Sequence, residues 1–278
     1  MSRRLTAALL AALLAACASR GTEGTGDAGI APRTDTSGTC AANCDAAAPS
    51  IPELTDTSGY GDVTTYGNVA DPRPSAGGAC NYGPTGIPDF AAIQVDRIPG
   101  DGQGQWRGGR VCGQCAEVRA RTLSGWKSVV VRIVDKCPDA NCGIDLGGAP
   151  AKTLMADKPG RYSGEWRFVP CDGHPGASDG APTLQVKDGS NAWWSIVQVR
   201  NPSERILSMR IRKAGTAAWT DLEWAAEAEN FYHVPAAALQ DEGDYEVEAA
   251  MPHGRYALKC KGTALAQAKS SLALASVP

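Results

Sequence analysis

Ten cysteines, in a chain that also carries 32 glycines and 18 prolines but only three histidines, constrain the fold more than any other feature. Cysteine at that density in a Gly- and Pro-rich sequence describes a loop-rich, strand-rich protein held by disulfides, and disulfides persist only in oxidising surroundings. Sustained helical periodicity is missing, apart from one short candidate helix over residues 150–157. The fold class is therefore all-β, and 278 residues are enough for two ordinary domains. With 27 basic against 30 acidic residues, the chain has no positive field to attract nucleic acid.

The N-terminus supplies a route to an oxidising compartment. Arg3 and Arg4 precede an apolar run from Ala7 to Ala16, too short to span a bilayer but suited to a signal peptide. The run ends in Leu14-Ala15-Ala16-Cys17, which resembles a bacterial lipobox. Residues 1–17 are thus expected to be a lipoprotein signal, with Cys17 acylated and first in the mature chain. An ordinary small-residue cleavage site across Ala16-Cys17-Ala18 is the alternative, and gives a freely secreted protein. Ala18 stands where an aspartate would favour inner-membrane retention, so an outer-membrane lipoprotein is expected, touching the membrane only through its lipid.

Residues 18–52 are Gly, Thr, Ser, Ala, Asp and Pro with almost no large apolar side chain, and cannot bury enough area to offset their ordering entropy. They read as a disordered linker, interrupted by Cys40 and Cys44. A second composition break at residues 173–181 divides a first folded region, 53–172, from a second, 182–262, and leaves 263–278 as a C-terminal tail.

In the first region, Val129-Val130-Val131-Arg132-Ile133-Val134 has the β-branched character of a strand buried on both faces, and Asp135 ends it. Asp145 follows between Ile144 and Leu146, where partial desolvation favours a protonated carboxyl able to act as an acid. By residue type alone, a cap for the helix that follows or a turn is the commoner role for such an aspartate. Cys112, Cys115, Cys137 and Cys142 can be read as a zinc site from their close pairs, but in an exported chain such pairs are ordinarily disulfide framework, so neither metal nor cofactor is expected.

The second region alternates apolar and polar residues at Leu184 and Val186, at Met209 and Ile211, and at Tyr245, Val247 and Ala249, as half-buried strands do. About 80 residues of this kind suit an immunoglobulin-like β-sandwich, although antibody-type Cys and Trp spacing is lacking. Trp193 and Trp194 are adjacent, and on a regular strand they would point to opposite faces, with Trp193 in phase with Val197 and Val199; one of the two would then be core.

The strings Val63-Thr64-Thr65-Tyr66, Gly77-Gly78-Ala79-Cys80-Asn81-Tyr82-Gly83, Cys112-Gly113-Gln114-Cys115, Val134-Asp135-Lys136-Cys137-Pro138 and Ile144-Asp145-Leu146 occur in the order seen in expansins. Together they resemble an expansin first domain, a six-stranded double-psi β-barrel related to family 45 endoglucanases and to the RlpA-like domain. The glycine-rich string is closer to plant expansins than to the cysteine-free bacterial ones. Trp193-Trp194-Ser195-Ile196-Val197-Gln198-Val199-Arg200-Asn201 is similar to the expansin cellulose-binding domain, carbohydrate-binding family 63. The whole resembles a bacterial expansin.

That resemblance implies roles. Thr64, Asp135 and Asp145 match the groove threonine, the strand-ending aspartate and the aspartate needed for wall loosening. Where bacterial members place a sugar-stacking tyrosine two residues after the first aspartate, this chain has Cys137. The implied disulfides are Cys80 with Cys112, Cys115 with Cys171 and Cys137 with Cys142, which leaves Cys260 to find Cys40, Cys44 or no partner. Trp193 and Trp194 match an exposed platform with Lys187 near it, and Trp224, Phe231 and Tyr232 are candidates for a third aromatic, Trp224 having the largest stacking face.

The expected partners are cellulose and its associated β-glucans or xylan, with peptidoglycan a further candidate, and the expected state is a monomer. Two functions compete. One is non-hydrolytic loosening of polysaccharide networks. The other is a glucan hydrolase or peptidoglycan lytic transglycosylase with Asp145 as acid. Inverting hydrolysis needs a second carboxylate; family 45 enzymes carry it on the strand where this chain has Thr64, with only Asp62 and Asp71 near in sequence.

Overall fold

The computed structural model describes residues 57–97, 100–139, 141–156 and 158–277. Cys17, the linker and the cysteines at 40 and 44 lie outside the described residues. The first region contains β1 (Ser58–Thr65), β2 (Phe90–Gln94), β3 (Cys115–Thr122), β4 (Gly125–Cys137), β5 (Cys142–Leu146), a short helix α1 (Gly148–Met155) and β6 (Tyr162–Val169). The six strands close into a double-psi barrel in the order β1, β5, β2, β4, β3, β6. Two neighbour pairs, β1 with β5 and β2 with β4, are parallel, and the others are antiparallel.

The barrel interior is filled by apolar side chains that its strands point inward. Val63, Ile93, Val131, Ile133, Ile144, Leu146 and Trp166 are essentially sealed from solvent. Trp166 keeps its indole satisfied by donating from Nε1 to Gln105 Oε1 at 2.7 Å, and Gln105 in turn donates to the Ser58 carbonyl. The β-branched run in β4 is buried on both faces from Val131 to Val134, including Arg132. Three disulfides, Cys80–Cys112, Cys115–Cys171 and Cys137–Cys142, tie the loops down, and they are the pairs the expansin resemblance implies.

The second region is a sandwich. Its strands are β7 (Thr183–Val186), β8 (Ile196–Arg200), β9 (Ser208–Lys213), β10 (Thr220–Asp221), β11 (Tyr232–His233), β12 (Asp244–Met251), β13 (Gly254–Lys261), β14 (Ser271–Ala273) and β15 (Ala275–Val277), with one helical turn, α2 (Ala236–Leu239). A five-stranded sheet, β10, β9, β12, β13, β15, packs on a four-stranded one, β11, β8, β7, β14. The apolar members of the alternating runs, Leu184, Val186, Met209, Ile211, Val247 and Ala249, form the core between them.

The segment after Gly262, set apart as a tail by composition, belongs to this sandwich. β14 pairs with β7 and β15 with β13, so it supplies one strand to each sheet. Leu265 and Leu274 are buried there and Leu272 packs against the same core; the short Leu272-Ala273-Leu274 alternation among Ala and Ser is too brief for a strand to be read.

Barrel and sandwich meet over a polar seam. Gln198 Nε2 on β8 and Asn230 Nδ2 both donate to the Cys80 carbonyl, at 3.1 and 3.2 Å. Asn81 Nδ2 donates to the Glu229 carbonyl at 3.0 Å, while Lys136 pairs with the Glu229 carboxylate at 3.2 Å. The glycine-rich string thus serves as the barrel's docking loop for the sandwich segment before β11.

Candidate functional site

The register of four adjacent strands assembles the groove. Thr64 on β1 lies opposite Asp145 on β5, and Ala92 on β2 lies opposite both Asp145 and Asp135 on β4. Thr64, Asp145, Ala92 and Asp135 therefore form one row across the barrel wall. With neighbouring strands about 4.8 Å apart, the two aspartate backbones stand about 10 Å from each other, separated only by a methyl group.

Asp145 is half-buried, and Thr64 Oγ1 donates to its Oδ1 at 2.6 Å. Desolvation raises its pKa above the ordinary aspartate range; the Thr64 bond and the charge of Arg161 pull it down, while Asp139 and Asp135 push it up. The cap position of α1 is Gly147, so Asp145 is not consumed as the helix cap. The Cys137–Cys142 disulfide lies against it, with Cys137 Sγ 4.0 Å from Oδ2. Asp135 instead turns Oδ1 to two backbone amides, Ala79 at 2.8 Å and Lys136 at 2.9 Å. It holds the glycine-rich loop against the strand end. Gly78 makes that fit possible, since a Cβ there would stand 2.5 Å from the Val134 carbonyl oxygen.

Two groups of this neighbourhood carry no role in the sequence reading. Tyr66, two residues beyond Thr64, sets its ring edge-on to Phe90 at 5.8 Å between centroids. Its hydroxyl is pushed well above the ordinary phenol range by desolvation, then by the charges of Asp135 and Asp145, although 44% of the residue is exposed. Its spacing from Thr64, one strand period, was the available signal. Arg161 bridges Asp62 at 2.7 Å and Asp139 at 3.0 Å. Asp62 is therefore held in an ion pair, and Asp71 is paired on the surface with Arg73 at 2.7 Å.

Trp193 and Trp194 precede β8 rather than lying on it. Asn191 Oδ1 accepts the amides of both, at 2.9 and 3.2 Å, and fixes a turn in which strand alternation does not apply. Both rings face outward, Trp193 at 77% and Trp194 at 37% exposure, so neither is core, as strand alternation alone would have made one of them. Lys187 opens the same turn, its carbonyl accepting from the Ser190 amide at 3.2 Å. The ring that meets Trp194 is His233, edge-on at 6.3 Å, with its Nε2 2.9 Å from Glu227. Trp224 is partly buried, packs edge-on to Tyr232 at 5.2 Å and lies under the Arg110 guanidinium at 4.3 Å. Phe231 and Tyr232 are buried. Cys260 has no disulfide partner among the described residues.

No family model matches the chain. Expansin-like protein 1 of Dictyostelium discoideum is 27% identical over 127 residues, 44% of this chain and 42% of that protein. Expansin-B11 of Oryza sativa subsp. japonica is 29% identical over 196 residues, 63% of this chain and 64% of its own. The chain is thus similar, over part of its length, to expansins and expansin-like proteins. It spans less than two thirds of the length of these two curated relatives. An expansin of Clavibacter michiganensis, solved as a point mutant in complex with cellohexaose, superposes with a TM-score of 0.57 at 20% identity, covering 78% of this chain and 95% of that one. At that identity the likeness is one of fold, and it extends over both the barrel and the sandwich.

Proposed function

We propose that this protein binds cellulose and associated β-glucans or xylan and loosens polysaccharide networks without hydrolysing them. The observation that carries the reading is the partner of Asp145: a threonine hydroxyl at 2.6 Å, with the neighbouring carboxylates already committed. Asp62 and Asp71 are held by arginines, and Asp135 is bound to two amides. Inverting hydrolysis requires a second carboxylate free to activate water. A desolvated acid beside a hydroxyl can instead exchange hydrogen bonds with a glucan chain and free it from its neighbours.

The exposed tryptophan pair supports the binding half. The axial C–H bonds of glucose form an apolar face that stacks on a flat indole, and the cellohexaose in the Clavibacter michiganensis complex is a ligand of that kind. Trp193, Trp194 and His233 would anchor the sandwich while the Thr64, Asp145 and Asp135 row grips a strand. Three disulfides fit export to an oxidising compartment, with an outer-membrane lipid anchor at Cys17 as the proposed attachment and free secretion as the alternative.

The raised pKa of Asp145 favours one second reading, a lytic transglycosylase acting on peptidoglycan, since that reaction needs a single acid. Mechanical creep and reducing-sugar release, measured on the same cellulose-rich material, separate hydrolysis from loosening. Creep without sugar release supports the proposal, and steady sugar release overturns it. Incubation with purified peptidoglycan tests the second reading by the appearance of anhydro-muropeptides.

A further inference from the structure

Arg132 sits within the β-branched run of β4 and is only 1% exposed. Its Nε donates to the Ala177 carbonyl at 2.6 Å, and its Nη1 to the carbonyls of Pro202 at 3.0 Å and Gly113 at 3.3 Å. These acceptors come from the interdomain segment, the sandwich and the barrel, and all three are neutral. A desolvated guanidinium ordinarily has an anion beside it, because neutral carbonyls offset only part of the lost hydration.

Arg200, at the end of β8, is half-buried and has a deficit of its own. Its Nε is shielded from solvent and meets no acceptor. Burial pulls both guanidiniums below the ordinary arginine range, and the nearest carboxylates, Asp179 for both and Asp172 for Arg132, oppose that shift without forming an ion pair with either. Tyr82, from the glycine-rich string, adds a buried hydroxyl that lies near the Asn230 side chain but makes no well-formed hydrogen bond.

Arg132, Arg200, Tyr82 and Asp179 line one cavity of about 350 Å³ between barrel and sandwich. Asp179 is its one acidic wall, and Oδ2 of that residue already accepts the Gly86 amide at 2.9 Å. Two arginines and one carboxylate therefore line a space large enough for a small ligand, leaving an excess of positive charge.

We infer that this cavity binds a small oxyanion, a carboxylate, sulfate or phosphate, through the guanidiniums of Arg132 and Arg200. Charge-assisted bonds from planar guanidiniums suit such oxygens. The ligand would touch residues of both domains and so tie barrel to sandwich. Its source is either a free inorganic ion or the carboxylate of an acidic sugar. This site is separate from the groove and from the tryptophan platform, and the inference stands whether or not the protein loosens walls.

The test is thermal melting of the full chain at fixed ionic strength, with sodium chloride replaced stepwise by phosphate, sulfate or glucuronate. A ligand that binds only the folded state raises the melting temperature by mass action. At least one of these anions is expected to raise it beyond the chloride control. A response to the inorganic ions assigns a free oxyanion, and a response to glucuronate alone assigns an acidic sugar. Arg200→Gln should weaken the response at least about tenfold, while Asp179→Asn, which removes the competing negative charge, should strengthen it. Titration calorimetry of the wild type and of Asp179→Asn with phosphate and glucuronate decides the matter if Arg200→Gln folds poorly. Sulfate and phosphate also stabilise proteins by exclusion from their surfaces. A rise of equal size in wild type and Arg200→Gln, or no rise with any of the three, overturns the inference.

Discussion

Thr64 Oγ1 donates to Asp145 Oδ1 at 2.6 Å across the parallel pairing of β1 and β5. The bond favours the ionised carboxyl and burial favours the neutral one, and burial is the larger effect. The folded state therefore binds the Asp145 proton more tightly than the unfolded chain does. Its contribution to stability is complete below the ordinary aspartate range and is lost as pH rises through the folded value. Asp145→Asn keeps an acceptor for Thr64 and never ionises. Near pH 7 it should melt at or above the wild type, with the difference closing below about pH 4. Creep should disappear while cellulose affinity stays unchanged. A variant that loosens normally would remove Asp145 from the proposed mechanism.

Replacing Thr64 isolates the other half of that relationship. Thr64→Val preserves shape but deletes the donor, so the Asp145 pKa moves further up. Any activity that follows the ionisation of Asp145 should shift its pH midpoint upward. Thr64→Ser, which retains a hydroxyl, should restore the wild-type profile. Identical creep profiles in all three proteins would mean that the bond does not tune the carboxyl.

Trp193 is the most exposed large aromatic side chain of the described residues, at 77%. Truncating it removes little packing, so Trp193→Ala should change stability by less than about 0.5 kcal/mol. Affinity for cellulose should fall at least about tenfold, as the loss of one stacking anchor worth about 1.4 kcal/mol would give. Trp194→Ala should act similarly, with a slightly larger stability cost because its ring also meets His233. Pull-down isotherms with melting curves on the same samples check both parts.

The barrel was legible because its signals are local and chemical. Cysteine spacing, the β-branched run before Asp135 and the apolar flanks of Asp145 each survive in sequence order. What the pattern alone leaves open shares a cause, which is that a period says nothing about where a strand begins or what packs on it. Trp193 and Val197 share a parity, but Asn191 ends the strand pattern before the tryptophans by capturing their amides. Trp224 has the largest ring in its segment, yet the stack with Tyr232 and Arg110 occupies it, and His233 takes the position beside Trp194. Arg132 lies within the run read as buried on both faces, and its sequence neighbours do not show what satisfies its charge. Only the tertiary fold shows carbonyls from three segments converging on it.

The disulfides should differ in worth. Cys115–Cys171 spans a sequence separation of 56, and Cys137–Cys142 spans 5. Closing the longer loop removes more entropy from the unfolded chain, about 4 kcal/mol against about 2 kcal/mol. Replacing the first pair by alanines should therefore lower barrel stability about twice as much as replacing the second. The second pair lies against Asp145, so its loss should weaken creep out of proportion to its stability cost. Denaturant melts paired with creep assays measure both quantities, and an equal stability loss from the two pairs would count against the loop-entropy account.

Gly78 offers the sharpest test of what Asp135 does. An alanine Cβ at that position would stand 2.5 Å from the Val134 carbonyl oxygen and 2.8 Å from the Cβ and Cγ of Asp135, so something must move. The atom with most freedom is the Asp135 carboxylate, whose Oδ1 holds the Ala79 amide at 2.8 Å. Gly78→Ala should cost about 1–3 kcal/mol as overpacking does, and should release the loop that carries Asn81 to the sandwich. Gly83, at φ +68° in the same string, has nothing within 4 Å of its would-be Cβ. Gly83→Ala should cost only the left-handed backbone penalty of about 1–2 kcal/mol. The two substitutions are thus similar in stability and different in geometry at the groove. If Asp135 shapes the groove, Gly78→Ala reduces creep several-fold at a temperature where both variants are folded, while Gly83→Ala keeps it. Equal creep from the two would leave Asp135 a loop anchor with no part in loosening.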